Sequence, residues 1–241
     1  LIMTVYGDMD VSRLIEKPSY RKNITTLSKP EFKINEVIEF IKKQTKAGNQ
    51  IFWVCPLIKE SKKLDYEAAI KKYEHLNKVF PNNVGLIHGS LEKEQKEIAL
   101  KNFLNKNIQI LVSTTVIEVG IDFPNANVIV IENSNKFGLS QLHQLRGRVG
   151  RSNKQGTCIL FYKKNLSENA KKRIKILKST NDGFKISEED MKLRGFGDIL
   201  GYKQSGIKEF KLADPVHHED LFKLVEQNIK QIEADQTTIS K

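Results

Sequence analysis

The sequence predicts an α/β fold: a parallel β-sheet covered by helices on both faces, followed by a helical hairpin and a C-terminal helix. Three observations predict it. Short apolar runs alternate along the chain with stretches of helical periodicity. The runs are continuously apolar rather than alternating, as strands buried on both faces are. After Tyr162 the alternation stops, and a basic helical stretch and a glycine-rich segment take over. A chain of 241 residues can bury a large core without disulfide or metal staples.

The elements follow in order. Residues 1–29 are mixed, with Lys17-Pro18 and Lys29-Pro30 as breakers, and predict an incoming extended segment and linker. From Asn35, Val37, Ile38, Phe40 and Ile41 recur at helical spacing, and Gly48 closes that helix. Ile51 to Cys55 is an apolar run stopped by Pro56, hence a buried strand. Tyr66 to Phe80 is helical and ends at Pro81. Val84 to Gly89 is a second strand and turn, Glu92 to Leu104 a helix, and Ile108 to Ser113 a third strand. Val128 to Ile131 is a fourth strand, Gln141 to Val149 a helix, and Thr157 to Tyr162 a fifth strand. Residues 168–180 form a basic helix, Asn181-Asp182-Gly183 a turn, and Ser187-Glu188-Glu189-Asp190 an N-cap signature. His217 to Ala234 forms the terminal helix. In sheets of this kind ligands sit beyond the carboxyl ends of strands. His88-Gly89-Ser90, Ser113-Thr114-Thr115 and the loop before Gln141 are therefore the segments to inspect.

Charge separates the possible functions. Forty basic residues against 29 acidic give a net charge of +11, which favours a polyanionic partner. A lysine-rich background would give the same balance. Only seven of the basic residues are arginine: Arg13, Arg21, Arg146, Arg148, Arg151, Arg173 and Arg194. Three of these lie within six residues. A guanidinium is a planar fork that grips phosphate oxygens in pairs, which an ammonium cannot do. Scarce, clustered arginine therefore marks candidate phosphate chemistry. No apolar run reaches the ~18 residues of a membrane span. The first residues lack the basic start and apolar stretch of a signal peptide. The two cysteines lie in no CxxC or Cys/His cluster, so neither a disulfide framework nor a metal centre is expected. A reducing, cytoplasmic setting is expected, and the opening residues suggest a piece of a longer protein.

The strongest constellation runs from Gln141 to Arg151, as Gln-Leu-His-Gln-Leu-Arg-Gly-Arg-Val-Gly-Arg. Arg148 and Arg151 are three apart, so a helical turn would set both on one face. Gly147 and Gly150 would let a ligand or a second chain segment come close. Two such forks can bind a triphosphate and stabilise charge spreading over its oxygens. Spacing alone leaves open a surface cluster that binds nothing in particular. The string Gln144-x-x-Gly147-Arg148-x-x-Arg151 resembles motif VI of superfamily 2 helicases. Thr114 to Asp122 resembles motif V, Ile87-His88-Gly89 motif IVa, and Phe52-Trp53-Val54 the strand of motif IV. Four matches in order are more specific than any one, and they cover a second RecA-like motor domain. Ile131-Glu132-Asn133, Phe137-Gly138 and Leu139 to Gln144 narrow the resemblance to the RecG family of branched-DNA helicases and to the Mfd transcription-repair coupling family. Both families carry a translocation (TRG) motif after motif VI. Its counterpart here runs from Arg173 through Asp182 to Ile186 and Leu193 to Gly197, ending at Gln204-Ser205-Gly206. His143, where Mfd usually has tyrosine, and the tail from Gln204 to Asp214 are similar to RecG.

The resemblance implies a division and a set of roles. Residues 1–29 would be inter-domain segment, 30–163 the motor domain, 164–215 the TRG hairpin and loop, and 216–241 a C-terminal helix. Arg148 and Arg151 would be arginine fingers on ATP, with Gln144 sensing its γ-phosphate. Gly120 and Asp122 would line the nucleotide edge, with Asp122 near the ribose. Thr114, Gly89 and Ser90 would contact DNA phosphates. Arg173, Arg194 and Gln204 would couple domain closure to DNA movement. The cofactor would be ATP with Mg²⁺, the metal held mainly by another domain. Expected partners are branched or duplex DNA, the first motor domain, the wedge domain and a single-strand-binding protein, in a bacterial cytoplasm at the nucleoid. Phe196, Asp198 and Tyr202-Lys203 depart from the family, which usually has Pro, Glu and Thr-Arg there. No GxxxxGK[ST] loop or DExH-type box is present, so half an ATP site is expected, with no appreciable turnover alone.

Other features carry blander expectations. Trp53, Cys55 and Cys158 are expected in the core, and His75 on a helix surface. His217-His218 has no accompanying ligands at useful spacing and predicts a solvated turn. Gly195 to Gly201 is not GxGxxG and follows no strand, which excludes dinucleotide binding. The leading expectation is the motor half of a RecG-like translocase that regresses forks and migrates Holliday junctions in recombination and repair. An Mfd-like translocase acting on stalled RNA polymerase is the alternative within the class. A non-catalytic basic nucleic-acid-binding module is the alternative outside it.

Overall fold

A computed structural model describes residues 22–56, 62–114 and 123–194, and five helical positions between 221 and 229. Two compact units divide the chain: Pro18–Leu193, and Leu1–Lys17 together with Arg194–Lys241. In the larger unit the strands are β1 (Thr25–Pro30), β2 (Gln50–Val54), β3 (Val84–Ile87), β4 (Ile110–Ser113), β5 (Ala126–Ile131) and β6 (Thr157–Tyr162). The helices are α1 (Ile34–Lys46), α2 (Lys62–Val79), α3 (Lys93–Leu104), α4 (Leu139–Arg146), α5 (Glu168–Ser179) and α6 (Gly183–Arg194). The described strands form one sheet in the order β1-β6-β5-β2-β4-β3, and every pairing is parallel. This is the RecA-like α/β arrangement expected.

Period-two alternation sorts each strand between two cores. Ile51, Trp53, Val112, Val128, Val130, Ile159 and Phe161 face α1 and α2, meeting Val37, Ile38, Ile41, Ala69 and Leu76. Phe52, Val54, Leu111, Ile129, Ile131, Cys158 and Leu160 face the other way. There they meet Leu100 and Phe103 of α3, Leu139, Leu142 and Leu145 of α4, Ile174 and Leu177 of α5, and Ile186 of α6. Phe52, Phe103 and Phe123 form an aromatic triangle with centroids 5.1 to 5.5 Å apart. The hairpin of α5 and α6 thus packs onto the same core as α4.

Three expectations need correction. The supposed linker does not last to residue 29, because Thr25–Pro30 pairs with β6 as an edge strand. An edge strand needs no long apolar run, and Leu27 is the only large apolar residue in this one. Pro30, lacking an N–H, is tolerated as its last residue. Helix α4 stops at Arg146 and does not reach Val149. Helix α6 begins at Gly183 rather than at the Ser187 signature. Asp182 Oδ1 accepts the Phe184 N–H at 2.9 Å and starts the helix four residues earlier.

In the smaller unit Leu221, Leu224, Val225, Asn228 and Ile229 are helical, within the predicted terminal helix. His217-His218 and the family departures at 196–203 lie outside the described residues. Among those described, no helix is long and apolar enough to cross a membrane.

Trp53 and both cysteines are in the core as expected. Burial pushes the Cys158 thiol up to about 12, with Arg146 acting the other way. Burial, and then the Glu132 carboxylate, push the Cys55 thiol well above its ordinary value. A thiolate is the reactive form. The native chain at pH 8 should therefore leave both cysteines unmodified by a thiol-disulfide reagent over the minutes that denatured chain takes to react completely. Fast labelling of either thiol in native protein contradicts this burial.

Candidate functional site

The sequence-selected residues fall at two opposite edges of the sheet. At the carboxyl edge, β3 and β4 end side by side with Ile87 opposite Ser113. Thr114 N–H donates to the Ile87 carbonyl at 3.2 Å, and Thr114 is buried. The chain turns at Gly89 and Ser90, both exposed. Thr114, Gly89 and Ser90 are thus brought to neighbouring strand ends. The His88 ring lies 5.0 Å from the Tyr66 ring at 31°, and its Nδ1 has no hydrogen-bond partner. Burial, and then Lys96, hold the His88 pKa below its ordinary value. Lys96 Nζ donates to the Gly89 carbonyl at 3.2 Å. A Cβ on Gly89 would lie 2.8 Å from the Tyr66 hydroxyl. Glycine is what lets Tyr66 close on this turn.

Elsewhere at the carboxyl edge, Glu132 follows β5 and pairs with Lys72 of α2 at 2.7 Å. Lys72 Nζ stands 5.2 Å from the Trp53 ring centroid. These contacts fix α2 over the sheet, beside a cavity of about 330 Å³ lined in part by Glu31, Lys72, Glu132 and Tyr162.

The arginine loop sits at the amino edge. Helix α4 carries the chain about 12 Å back across the sheet, at 1.5 Å per residue. Its start is capped by Gln141, whose Oε1 accepts the Gly138 N–H at 2.9 Å. After Arg146 the chain leaves the helix, and the Gly150 N–H donates to the Ala126 carbonyl at the first residue of β5. Arg148 and Arg151 therefore do not share a helical face. They stand on a turn closed by Gly150, whose φ is +66°. Arg148 is half-buried, and its side chain makes no hydrogen bond or ion pair with the described residues. Arg151 Nε donates to the Gly147 carbonyl at 3.3 Å. Gln144 is exposed on α4.

The third clustered arginine does something else. Arg146 is 1% exposed and turned inward. Its Nη1 donates to the Leu177 carbonyl at 2.6 Å, the Thr180 carbonyl at 3.0 Å and Thr26 Oγ1 at 3.2 Å. Its Nη2 lies 3.0 Å from His143 Nδ1. Since arginine only donates, Nδ1 must accept, which leaves the imidazole proton on Nε2. None of these partners is a carboxylate. Burial pulls the Arg146 pKa below its ordinary value, with Cys158 acting the other way. The expectation that clustered arginine marks phosphate chemistry does not apply to Arg146.

The sequence reading missed this residue and its helix-mates. Ser140 Oγ donates to Asp190 Oδ2 of α6 at 2.5 Å. Ser140, His143 and Arg146 recur every third residue beside Leu139, Leu142 and Leu145, so one stripe of α4 is polar and the next apolar. That repeat was the available signal. Arg173 of α5 donates through Nη2 to the Asn135 carbonyl at 3.1 Å. Arg194 ends α6, with its side chain outside the described residues; Gly120, Asp122 and Gln204 also lie outside them.

The model of the helicase conserved C-terminal domain matches residues 32–153, and that of ATP-dependent DNA helicase RecG, domain 3, C-terminal, matches 180–241. ATP-dependent DNA helicase RecG of Bacillus subtilis (strain 168) is 49% identical over 90% of this chain and 32% of its own length. The RecG of Thermotoga maritima is 44% identical over 98% of this chain and 30% of its own length. The chain thus spans about a third of the curated relatives it matches. The structure of RecG bound to a three-way DNA junction superposes with a TM-score of 0.67 at 44% identity, covering 86% of this chain and 26% of that one. The yeast splicing factor Prp28, at 20% identity and a TM-score of 0.55, shares the fold.

Gly150 packs tightly against Gly156. A Cβ there would lie 3.2 Å from Gly156 Cα, in a left-handed conformation that costs other residues about 1–2 kcal/mol. Gly150→Ala should therefore destabilise the chain by at least about 1 kcal/mol in urea unfolding. An unchanged midpoint would show that the turn is not held as described.

Proposed function

The chain belongs to the helicase conserved C-terminal domain family and, within it, to the RecG proteins, and on that premise we propose that it is the second motor half of an ATP-dependent DNA translocase acting on branched DNA. In this reading residues 30–163, with β1 added at their edge, form the motor domain. Residues 164–215 are the coupling hairpin and loop, and 216–241 the terminal helix. The observation that carries it is the arginine loop: an inward Arg146, an Arg148 with no described partner, and Arg151 on the same turn. Arg148 and Arg151 would face the triphosphate of ATP held by a first motor domain, and Gln144 would sense its γ-phosphate. Two positive forks there stabilise negative charge growing on the phosphate oxygens as the terminal bond breaks. Gly120 and Asp122 would complete the nucleotide edge.

DNA would run along the opposite, carboxyl edge, its phosphates met by Thr114, Gly89 and Ser90. Arg173, Arg194 and Gln204 would carry domain closure to the DNA. The net charge of +11 supports a polyanionic partner. Magnesium would neutralise phosphate charge when bound. Among the described residues no three His, Cys, Asp or Glu side chains gather as metal ligands, so we place the metal with the nucleotide and the other motor domain. A wedge domain would select the fork, and a single-strand-binding protein would be a further partner. The setting would be the bacterial cytoplasm, at the nucleoid. The reaction would regress forks and migrate Holliday junctions during recombination and repair.

The purified chain should hydrolyse ATP no faster than a buffer control, with or without forked DNA. In the full-length protein, Arg148→Ala and Arg151→Ala should each lower DNA-stimulated kcat by about 10³-fold, as loss of an arginine finger does, with DNA affinity within about twofold. Wild-type turnover in both variants overturns the assignment.

A further inference from the structure

We infer that Arg146 is a positioning residue that makes the α5–α6 hairpin move as one body with the arginine loop. The inference rests on the translocase reading above and adds a residue to it. Helix α4 is anchored in the core by Leu139, Leu142 and Leu145. Its polar stripe points at the hairpin, bonding it at two places and standing against it at a third. Ser140 holds Asp190, near the far end of α6. His143 stands at the near end of α6, where a Cβ on Gly183 would come within 3.1 Å of its Nε2. Arg146 holds the Leu177 and Thr180 carbonyls, at the last turn of α5 and just beyond it.

The linkage is short. Arg146 is separated from Arg148 by Gly147 alone, and the Arg148 N–H donates to the Leu145 carbonyl at 3.0 Å. A displacement of Arg148 toward or away from a nucleotide reaches the guanidinium two residues back. From there it reaches both hairpin helices, directly at α5 and through His143 at α6. The four acceptors come from α4, α5, the turn after it and β1. A planar guanidinium serves them together. A lysine ammonium has three donors and one centre, and cannot span four acceptors on four segments. Replacing Arg146 by lysine therefore keeps the charge and removes the linkage.

The test uses full-length protein on forked DNA, with ATP hydrolysed and base pairs unwound measured in the same reaction, and KM for ATP and thermal midpoint recorded. For Arg146→Lys, DNA-stimulated turnover and KM should stay within about threefold of wild type. Unwinding per ATP should fall about tenfold, within the range that single residues carry in coupled networks. A proportional loss of turnover and unwinding, leaving their ratio unchanged, overturns the inference and leaves Arg146 a stabilising residue only. Should Arg146→Lys fail to fold, Gly183→Ala keeps every arginine and displaces only the His143 ring. It should lower the same ratio by about threefold, and an unchanged ratio overturns the inference equally. Wild-type protein without DNA-dependent ATP turnover would instead remove the translocase reading on which the inference rests.

Discussion

A guanidinium buried without a counter-charge among the described residues is the contact on which the rest of this domain depends. Taking such an ion out of water costs several kcal/mol. Each hydrogen bond to a charged group returns roughly 1.5–3 kcal/mol, and a cation at a helix C-terminus adds up to about 2 kcal/mol. Arg146 comes near balance only with all its acceptors in place: Thr26, Leu177, Thr180 and His143. The constraint therefore acts on geometry more than on net stability. It fixes where β1 ends up, where α5 must stop and which nitrogen of His143 carries the proton. It also keeps one arginine of the cluster turned inward while its neighbours stay near the surface.

The same helix divides the molecule's chemistry. Because α4 runs from the carboxyl edge of the sheet to its amino edge, two sets of polar residues are held apart by a rigid core. Gly89, Ser90 and Thr114 occupy one edge, and Arg148 and Arg151 the other. A parallel sheet with two filled faces is a stiff plate. Motion at one edge can then reach the other only by moving the plate whole or by shifting elements that lie on its surface. The hairpin of α5 and α6 is such an element, sharing its core with α4 and hooked to it by polar contacts.

Much of this was legible in the sequence, for identifiable reasons. Runs such as Ile51–Val54 and Ile110–Ser113 carry side chains for both faces, so parallel strands were readable without partners. Gly48 and Pro81 mark helix ends by rules of the backbone alone. Residues whose partners are distant were harder. β1 is held by β6, far along the chain, and its own six residues are mostly polar. Arg146 looked like Arg148 because both are arginines in one string, and only the carbonyls of α5 distinguish them. A rule about strand ends says nothing of Arg148 and Arg151, because α4 takes the chain back across the sheet before they appear.

The edge position of β1 has a consequence for how this protein is made. Thr25 leaves the ribosome about 130 residues ahead of Thr157, with which it pairs. At ordinary synthesis rates of about 5–20 residues per second, that strand waits on the order of ten seconds for its partner. Thr26, which completes the Arg146 network, waits with it. Closure of the domain is thus a late event set by translation. Its polar, proline-ended edge strand is well suited to the delay, because it offers little that another nascent chain would join.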